Sequence, residues 1–442
     1  MATTYQVGPG RTYASLPALF AAVDLQPGDV VEVDGDGASY PGGIVMPEAD
    51  GGAPGQPVIL RGVRSADQRP LILGGVNSIE IRANHVVFEG FEIVGTLTPT
   101  TTFRCFFHHS HDVLIRDAYI HDCPQHGVLG ADQDSGSLTI EYSEISHSGN
   151  GDRHHSIYMA TDEVAYPGAV FRLQHSFVHS ANGGNLIKSR AERNELYHNW
   201  LEGGFYHELE LIGPDPFGAA DGWSEALARE DSDVVGNVIV HTSDFSAILR
   251  FGGDGTGQSR GRYRFVNNTV VRLGGSDTPT VFRLFDGIES LAAHNNVFHR
   301  EGAQGLRIVR EVEADWTAGS RIIGRNNHVD QGSTFVPGGF TGSLFGDDPG
   351  FVSLAGFDLR PLEAAPLRDA GTLQTSGPPE YDPGNPLPLP GFMPQRRAVP
   401  PGQAQTRDVA LAQPDIGAFE LPDPQRVFRS GFEDGEAGGV DR

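Results

Sequence analysis

The sequence predicts an all-β chain, a single right-handed parallel β-helix with an N-terminal capping helix and a C-terminal wrapping segment. Three observations predict it. A strand–turn–strand unit recurs along the chain, an asparagine returns at one place in that unit, and no helical periodicity separates the copies.

The copies run from VVFEGFEIVG (86–95) through VLIRDAYIHDC (113–123), LTIEYSEISHSG (138–149), FRLQHSFVHSA (171–181), NELYHNWLEGG (194–204), DVVGNVIVHTS (233–243), YRFVNNTVVRLG (263–274) and LAAHNNVFHRE (291–301) to IIGRNNHVDQG (323–332). Asn199, Asn237, Asn268, Asn296 and Asn327 hold the equivalent place, at intervals of 38, 31, 28 and 31 residues. Units of that length stack as coils whose strands pair with the next coil at about 4.8 Å. The asparagine amide can bond the backbone of a tight bend and then the asparagine of the neighbouring coil, a ladder where a left-handed residue is needed. A β-sandwich would favour Asn-Gly or Asp-Gly hairpins between adjacent strands, and these are sparse.

A solenoid must close its apolar ends. SLPALFAAVDLQPGD (15–29) closes one as a helix: Ser15 caps it, Pro17 sits in its first turn, and Leu16, Leu19, Phe20 and Val23 fall at helical spacing. Residues 1–371 are read as the β-helix with its cap, the Pro-rich stretch 372–425 as a segment packed on it, and 426–442 as a polar, mobile tail. Cys105 and Cys123, 18 residues apart, stand near one coil's length, so they either bridge adjacent coils or sit as two buried thiols.

Composition agrees. Gly 58 and Pro 30 with only four Met suit short strands and turns. The 32 Lys+Arg against 57 Asp+Glu, a formal charge of -25, argue against a nucleic-acid binder and against a protein that clings to anionic membranes. No run of about 18 apolar residues occurs.

Stacking the coils aligns HGVLGAD (126–132), HSIYMAT (155–161), LIKSRAE (186–192), HELELIG (207–213) and SAILRFG (246–252). Alternation then directs Ile187 and Ser189 inward and Leu186, Lys188 and Arg190 outward. Tyr158 falls one coil before Lys188, Glu208 and Glu210 one coil after, and Arg250 (or Leu249, in a slipped register) two coils after, with His155 and His207 flanking. Lys188 is the sole lysine of 442 residues. Most lysines are solvated surface groups, but an amine can lose its proton and a guanidinium effectively cannot. Free lysine, with a pKa of about 10.4, is neutral in about 1 of 2,500 copies at pH 7. Arg190 and Arg193, where they face it, enlarge that fraction. Glu208 and Glu210, two apart on one strand, either hold calcium together with Asp215 or form a solvated acidic rim. The histidine clusters HHSHD (108–112) and DRHH (152–155) lack zinc-site spacing. Trp223, in the insertion 215–231, either overhangs the groove and stacks on a sugar or anchors its own loop.

The entry segments TYQVGPGRTYASL and PGDVVEVDGDGASYPGG, and the closing segments 345–371 and 416–421, resemble the secreted β-helix proteins of the pectate-lyase superfamily. The stretch IKSRAERNELYHN is similar to the Lys-Ser strand of chondroitinase B and related alginate lyases. That resemblance implies a polysaccharide lyase cleaving a uronic-acid-containing glycan by β-elimination. It implies a lysine that abstracts the C5 proton, an arginine on the following coil that assists the leaving oxygen, and calcium that offsets the substrate carboxylate. Lys188 matches the base. The arginine does not match, because HELELIGPD places Glu210 there, leaving Arg250, Tyr158 or His207 for that role. Arg190, Arg193, His155, Glu210 and Trp223 are then substrate-binding candidates, and Glu208, Glu210 and Asp215 the calcium ligands. The expected partner is an acidic polysaccharide bound by a monomer, with no nucleic acid and no membrane. MATTYQVGPG lacks the regions of a secretory signal, so either the protein is cytosolic or a leader has been removed; the resemblance to secreted proteins favours removal and a secreted or periplasmic protein. Two other readings compete: a glycoside hydrolase pairing Glu208 or Glu210 with Asp215 or Asp162, and a non-catalytic glycan-binding solenoid.

Overall fold

The computed structural model describes residues 2–35, 39–215, 218, 220–224, 227, 230–253, 259–285, 287–302, 304–312, 321–408 and 413–422. Three sheets, of 13, 10 and 12 strands, run along the molecule, and every pairing in them is parallel. Each central coil gives one strand to each sheet, as Val170–Gln174, Phe177–His179 and Ile187–Arg190 do in turn. The chain is a right-handed parallel β-helix.

Alternation within each strand sends every second side chain inside, and the parallel register stacks these residues coil on coil. Leu60, Phe88, Ile115, Ile140, Leu173, Leu196, Val234 and Phe265 form one such row, all buried. Beneath the 10-stranded sheet the row is Phe106, Val128, Ile157, Ile187, Leu209, Leu249 and Phe282. Each side chain so buried stabilises the coil by about 1.5–3 kcal/mol, and the rows hold the sheets at fixed spacing.

The asparagine ladder is present. The backbone N–H of Asn199 donates to Asn237 Oδ1 at 2.9 Å, and the contact repeats from Asn237 to Asn268, Asn268 to Asn296 and Asn296 to Asn327 at 2.8–2.9 Å. The left-handed backbone is one residue earlier than expected, at His198, Asn267, Asn295 and Asn326, with φ of 53–58°. The left-handed residue makes the bend, and the asparagine after it is free to direct its amide between coils.

The capping helix is shorter than its apolar spacing suggests. It spans Leu16–Phe20, buries Leu16 and Leu19, and Ser15 Oγ accepts from the Ala18 N–H at 3.4 Å. Beyond it the chain turns because carboxylates capture backbone donors: Asp50 takes the Leu25 N–H at 3.1 Å and Asp29 that of Gln26 at 2.9 Å. Cys105 and Cys123 are joined in a disulfide.

After the last coil the chain returns over the 13-stranded and 12-stranded sheets. Arg325 donates to the Gln374 carbonyl, Arg262 to that of Asp382 and Arg264 to that of Asn385, Phe392 packs on His175 and His198, and Arg396 makes a two-pronged pair with Glu202. The expected tail, 426–442, lies outside the described residues. Lys188 stands on the outer face of the 10-stranded sheet.

Candidate active site

Strand Ile187–Arg190 lies between Ile157–Ala160 and Leu209–Ile212, with Ala247–Gly252 next. The register pairs Tyr158 with Lys188, Lys188 with Glu210 and Glu210 with Arg250. Ile187, Ser189, Leu211 and Leu249 are buried, so the four paired residues form one outward column, and Arg250 rather than Leu249 belongs to it. Leu186, expected outward, precedes the strand and is buried in the core.

The column is tightly coupled. Lys188 Nζ stands 5.1 Å from the Tyr158 ring centroid and 3.7 Å from Glu210 Oε2. Arg250 Nη1 meets Glu210 Oε1 at 2.9 Å, and Asn185 Nδ2 donates to Glu210 Oε2. Arg250 also donates to the Gly253 carbonyl at 3.0 Å and lies 4.1 Å above the Phe285 ring. Arg190 is buried; its Nε donates to the Tyr158 hydroxyl at 3.1 Å and its Nη1 to the Gly213 carbonyl. Burial raises the Tyr158 phenol above its ordinary range, and the Arg190 guanidinium partly offsets this.

A second ladder supports the column from one side. His126 Nδ1 accepts from the His155 N–H at 3.3 Å, His155 Nδ1 from the Asn185 N–H at 2.8 Å, and Asn185 Oδ1 from the His207 N–H at 3.1 Å. His126 and His155 therefore carry their ring proton on Nε2, while His207 donates Nδ1–H to Asn185 Oδ1 at 3.0 Å. Burial pulls His126 down to about 3 and holds His155 and His207 well below the usual imidazole range, with Lys188 adding to the effect on His155 and Arg250 to that on His207. His155 packs edge-on against Tyr158. His207 is buried against Phe245, so it supports Asn185 rather than standing on the face as a proton donor.

Several expected members are elsewhere. Glu208 precedes its strand, outside the reach of alternation; it is fully buried, with Oε2 2.7 Å from His241 Nδ1 and Oε1 accepting from the Gly204 N–H. Asp215 lies across Arg190 with Asp132, Glu163 and Thr161, around a small recess. Glu208, Glu210 and Asp215 thus do not converge, and among the described residues no three His, Cys, Asp or Glu side chains could hold a metal ion. The calcium ligand set does not fit. Arg193 opens a strand of the 13-stranded sheet, because the chain bends at residues 191–192, and it pairs with Glu195 and Asp233. Asp162 caps a turn, accepting from the N–H groups of Val164, Ala165 and Asp134. Trp223 is partly buried with its indole N–H unpartnered; the described part of its insertion meets Gln133 through the Gly218 carbonyl, on the Arg190 side of the column. Residues 216, 217, 219, 225, 226, 228 and 229 of that insertion lie outside the described residues.

Sequence reasoning missed Asn185, which fixes Glu210, His155 and His207 at once. It also missed Arg283 and Arg310, which continue the column beyond Arg250. TVFRL (280–284) repeats the pattern of AILRF (247–251), a signal that one further coil of alignment would have used.

No protein-family model matches the chain, and no curated protein does at a significant level. Among solved structures, pectate lyase Pel9A is similar over 95% of this chain and 96% of its own, with a TM-score of 0.54 and 12% identity. An alginate lyase from Paenibacillus sp. str. FPU-7 is similar over 78% of this chain and 98% of its own (TM-score 0.42, 14% identity). A GH136 lacto-N-biosidase from Eubacterium ramulus is similar over 74% and 67% (TM-score 0.39, 13% identity). At this identity the first likeness establishes the parallel β-helix; the chemistry rests on the residues.

Proposed function

We propose that the protein is a secreted polysaccharide lyase that cleaves a uronic-acid-containing glycan by β-elimination, with Lys188 as base. The observation that carries this reading is the chain's only lysine, on the outward side of a sheet, in register with a phenol on one side and a carboxylate–guanidinium pair on the other. The similarity in outline to a pectate lyase supports it, and the disulfide supports work in an oxidising compartment.

The C5 proton of a uronate is weakly acidic until its carboxylate's charge is offset. Arg250, partly exposed at the column, takes that carboxylate. Lys188 Nζ removes the C5 proton, the C4–C5 double bond forms, and the C4–O4 bond breaks. Tyr158, kept a neutral phenol by burial, gives its proton to the leaving oxygen, and Arg190 at 3.1 Å stabilises the phenolate. The Lys188 ammonium, facing the Tyr158 ring, then restores the phenol's proton, and the cycle closes without net change in the enzyme.

Acidic polysaccharides incubated with the protein are expected to give unsaturated, ultraviolet-absorbing products. Lys188→Ala and Lys188→Arg should each lower kcat by about 1,000-fold or more, since neither offers an amine base. Tyr158→Phe should lower kcat by about 100-fold with KM held. Saturated reducing ends, or activity that survives Lys188→Ala, would assign the chemistry to carboxylates instead and end the lyase reading.

A further inference from the structure

The column that carries Lys188 does not stop at Arg250. Arg250 is in register with Arg283, and Arg283 with Arg310, so three guanidiniums stand on successive coils about 4.8 Å apart. Like charges directly opposite on neighbouring strands are destabilising. Only Arg250 has a carboxylate, Glu210; among the described residues neither Arg283 nor Arg310 makes an ion pair, and Arg283 Nε is buried without a hydrogen-bond partner. Burial, then Arg250 and Arg310, depress the Arg283 guanidinium below its ordinary range. Arg310 is exposed.

On the other side of Lys188 the same column reads Tyr158, Leu129 and Phe107 before it reaches Glu80; Arg190 bonds the Tyr158 hydroxyl and Arg104 lies over Phe107. Beyond Glu210 the column is therefore cationic in one direction from the amine, while in the other its own residues are uncharged for three coils. The molecule as a whole carries -25, so this strip is a local reversal of the prevailing charge.

We propose that Arg250, Arg283 and Arg310 form a binding track for a run of consecutive acidic sugar units lying along the solenoid axis. The track resting on three in-register guanidiniums requires free carboxylates on that side of the cut, while the Tyr158–Leu129–Phe107 side accepts neutral or esterified units. The track stands on the column's charge; only the position of the cut rests on the reading of Lys188 as base.

The test is calorimetric binding of size-defined polygalacturonate and alginate fragments, and of fully methyl-esterified polygalacturonate, to the Lys188→Ala protein. At least one acidic fragment should bind, and the ester about 10-fold more weakly or less. Arg283→Gln and Arg310→Gln should each weaken binding by about 3- to 10-fold and reduce the slope of log affinity against log salt by roughly one. Both variants should melt at or above the parent temperature, because each relieves like-charge repulsion; a merely structural arginine would lower it. Unchanged affinity and salt slope in the double variant, or a parent that binds neither acidic fragment, would overturn the track. Binding that depends on the two arginines, with no unsaturated product from the Lys188 protein, would uphold the track and remove the lyase reading; unsaturated product formed at a rate indifferent to both substitutions would do the reverse.

Discussion

On the 13-stranded sheet an outward column reads Glu32, Arg61, Glu89, Arg116, Glu141, each residue in register with the next. Every arginine there meets a carboxylate on both sides: Arg61 at 3.8 and 2.7 Å, Arg116 at 3.7 and 2.7 Å. Across the solenoid, on the 10-stranded sheet, the column Tyr158, Lys188, Glu210, Arg250, Arg283, Arg310 has the same spacing and breaks the alternation. Stacked coils make charge neutralisation easy, since one substitution per coil places opposite charges about 4.8 Å apart. A column that leaves that arrangement aside keeps charge that no carboxylate among the described residues neutralises at Arg283 and Arg310, which is what the proposed track uses. The difference also extends to cover: the returning C-terminal segment bonds to the 13-stranded sheet through Arg262, Arg264 and Arg325.

The contrast can be attacked from its self-satisfied flank first. Asn237→Ala removes an amide that accepts from Asn199 and donates to the Leu196 carbonyl and Asn268, all buried, and should cost about 3 kcal/mol in chemical denaturation. A loss below about 1 kcal/mol would mean that the ladder is ornament and the apolar rows alone set the spacing. Second comes pH. Burial pulls the imidazoles of His198 and His294 on the covered flank down to about 3 and about 4, and that of His126 beside the column to about 3. Unfolded histidines protonate near 6.5, so stability should fall as pH drops from 6.5 toward 3. Glu163 and Glu230 run the other way: burial pushes them up to about 7 and about 8, so they hold protons in the folded state that the unfolded chain releases near 4.5. Their contribution therefore declines as pH rises from about 4.5 through 8; between 4.5 and 6.5 the three histidines outweigh the two glutamates, so the maximum from these groups falls near pH 6.5. Melting curves of Glu230→Gln should flatten the alkaline side; an unchanged alkaline slope would exclude Glu230 as its source. The smallest effect belongs to the alternating column, where Arg116→Gln should cost about 0.5 kcal/mol, because the pair is partly exposed and screened. A cost above about 2 kcal/mol would show that charge alternation, and not packing, holds that face.

Much of this contrast was legible in the sequence, because a parallel solenoid converts period into position. The register of Tyr158, Lys188, Glu210 and Arg250 followed from aligning coils, since each strand repeats the pattern of the one before. What failed were residues at strand ends. Glu208 and Leu186 stand just outside their strands, where alternation no longer sets direction, and Arg193 stands past a bend that hands the chain to another sheet. Asn185 was silent for a related reason: its work is to bond backbone and side chains across coils, and composition carries no mark of that.

The C-terminal return has a consequence for how the molecule comes apart. A stack of coils touching only its neighbours can unzip from either end, one layer at a time. Here the chain doubles back, and the Arg396–Glu202 contact joins residues 194 apart while Arg262 and Arg264 grip Asp382 and Asn385. A later-made part of the polypeptide is thereby buckled across coils made much earlier, so fraying at the far end is arrested until the buckle itself lets go.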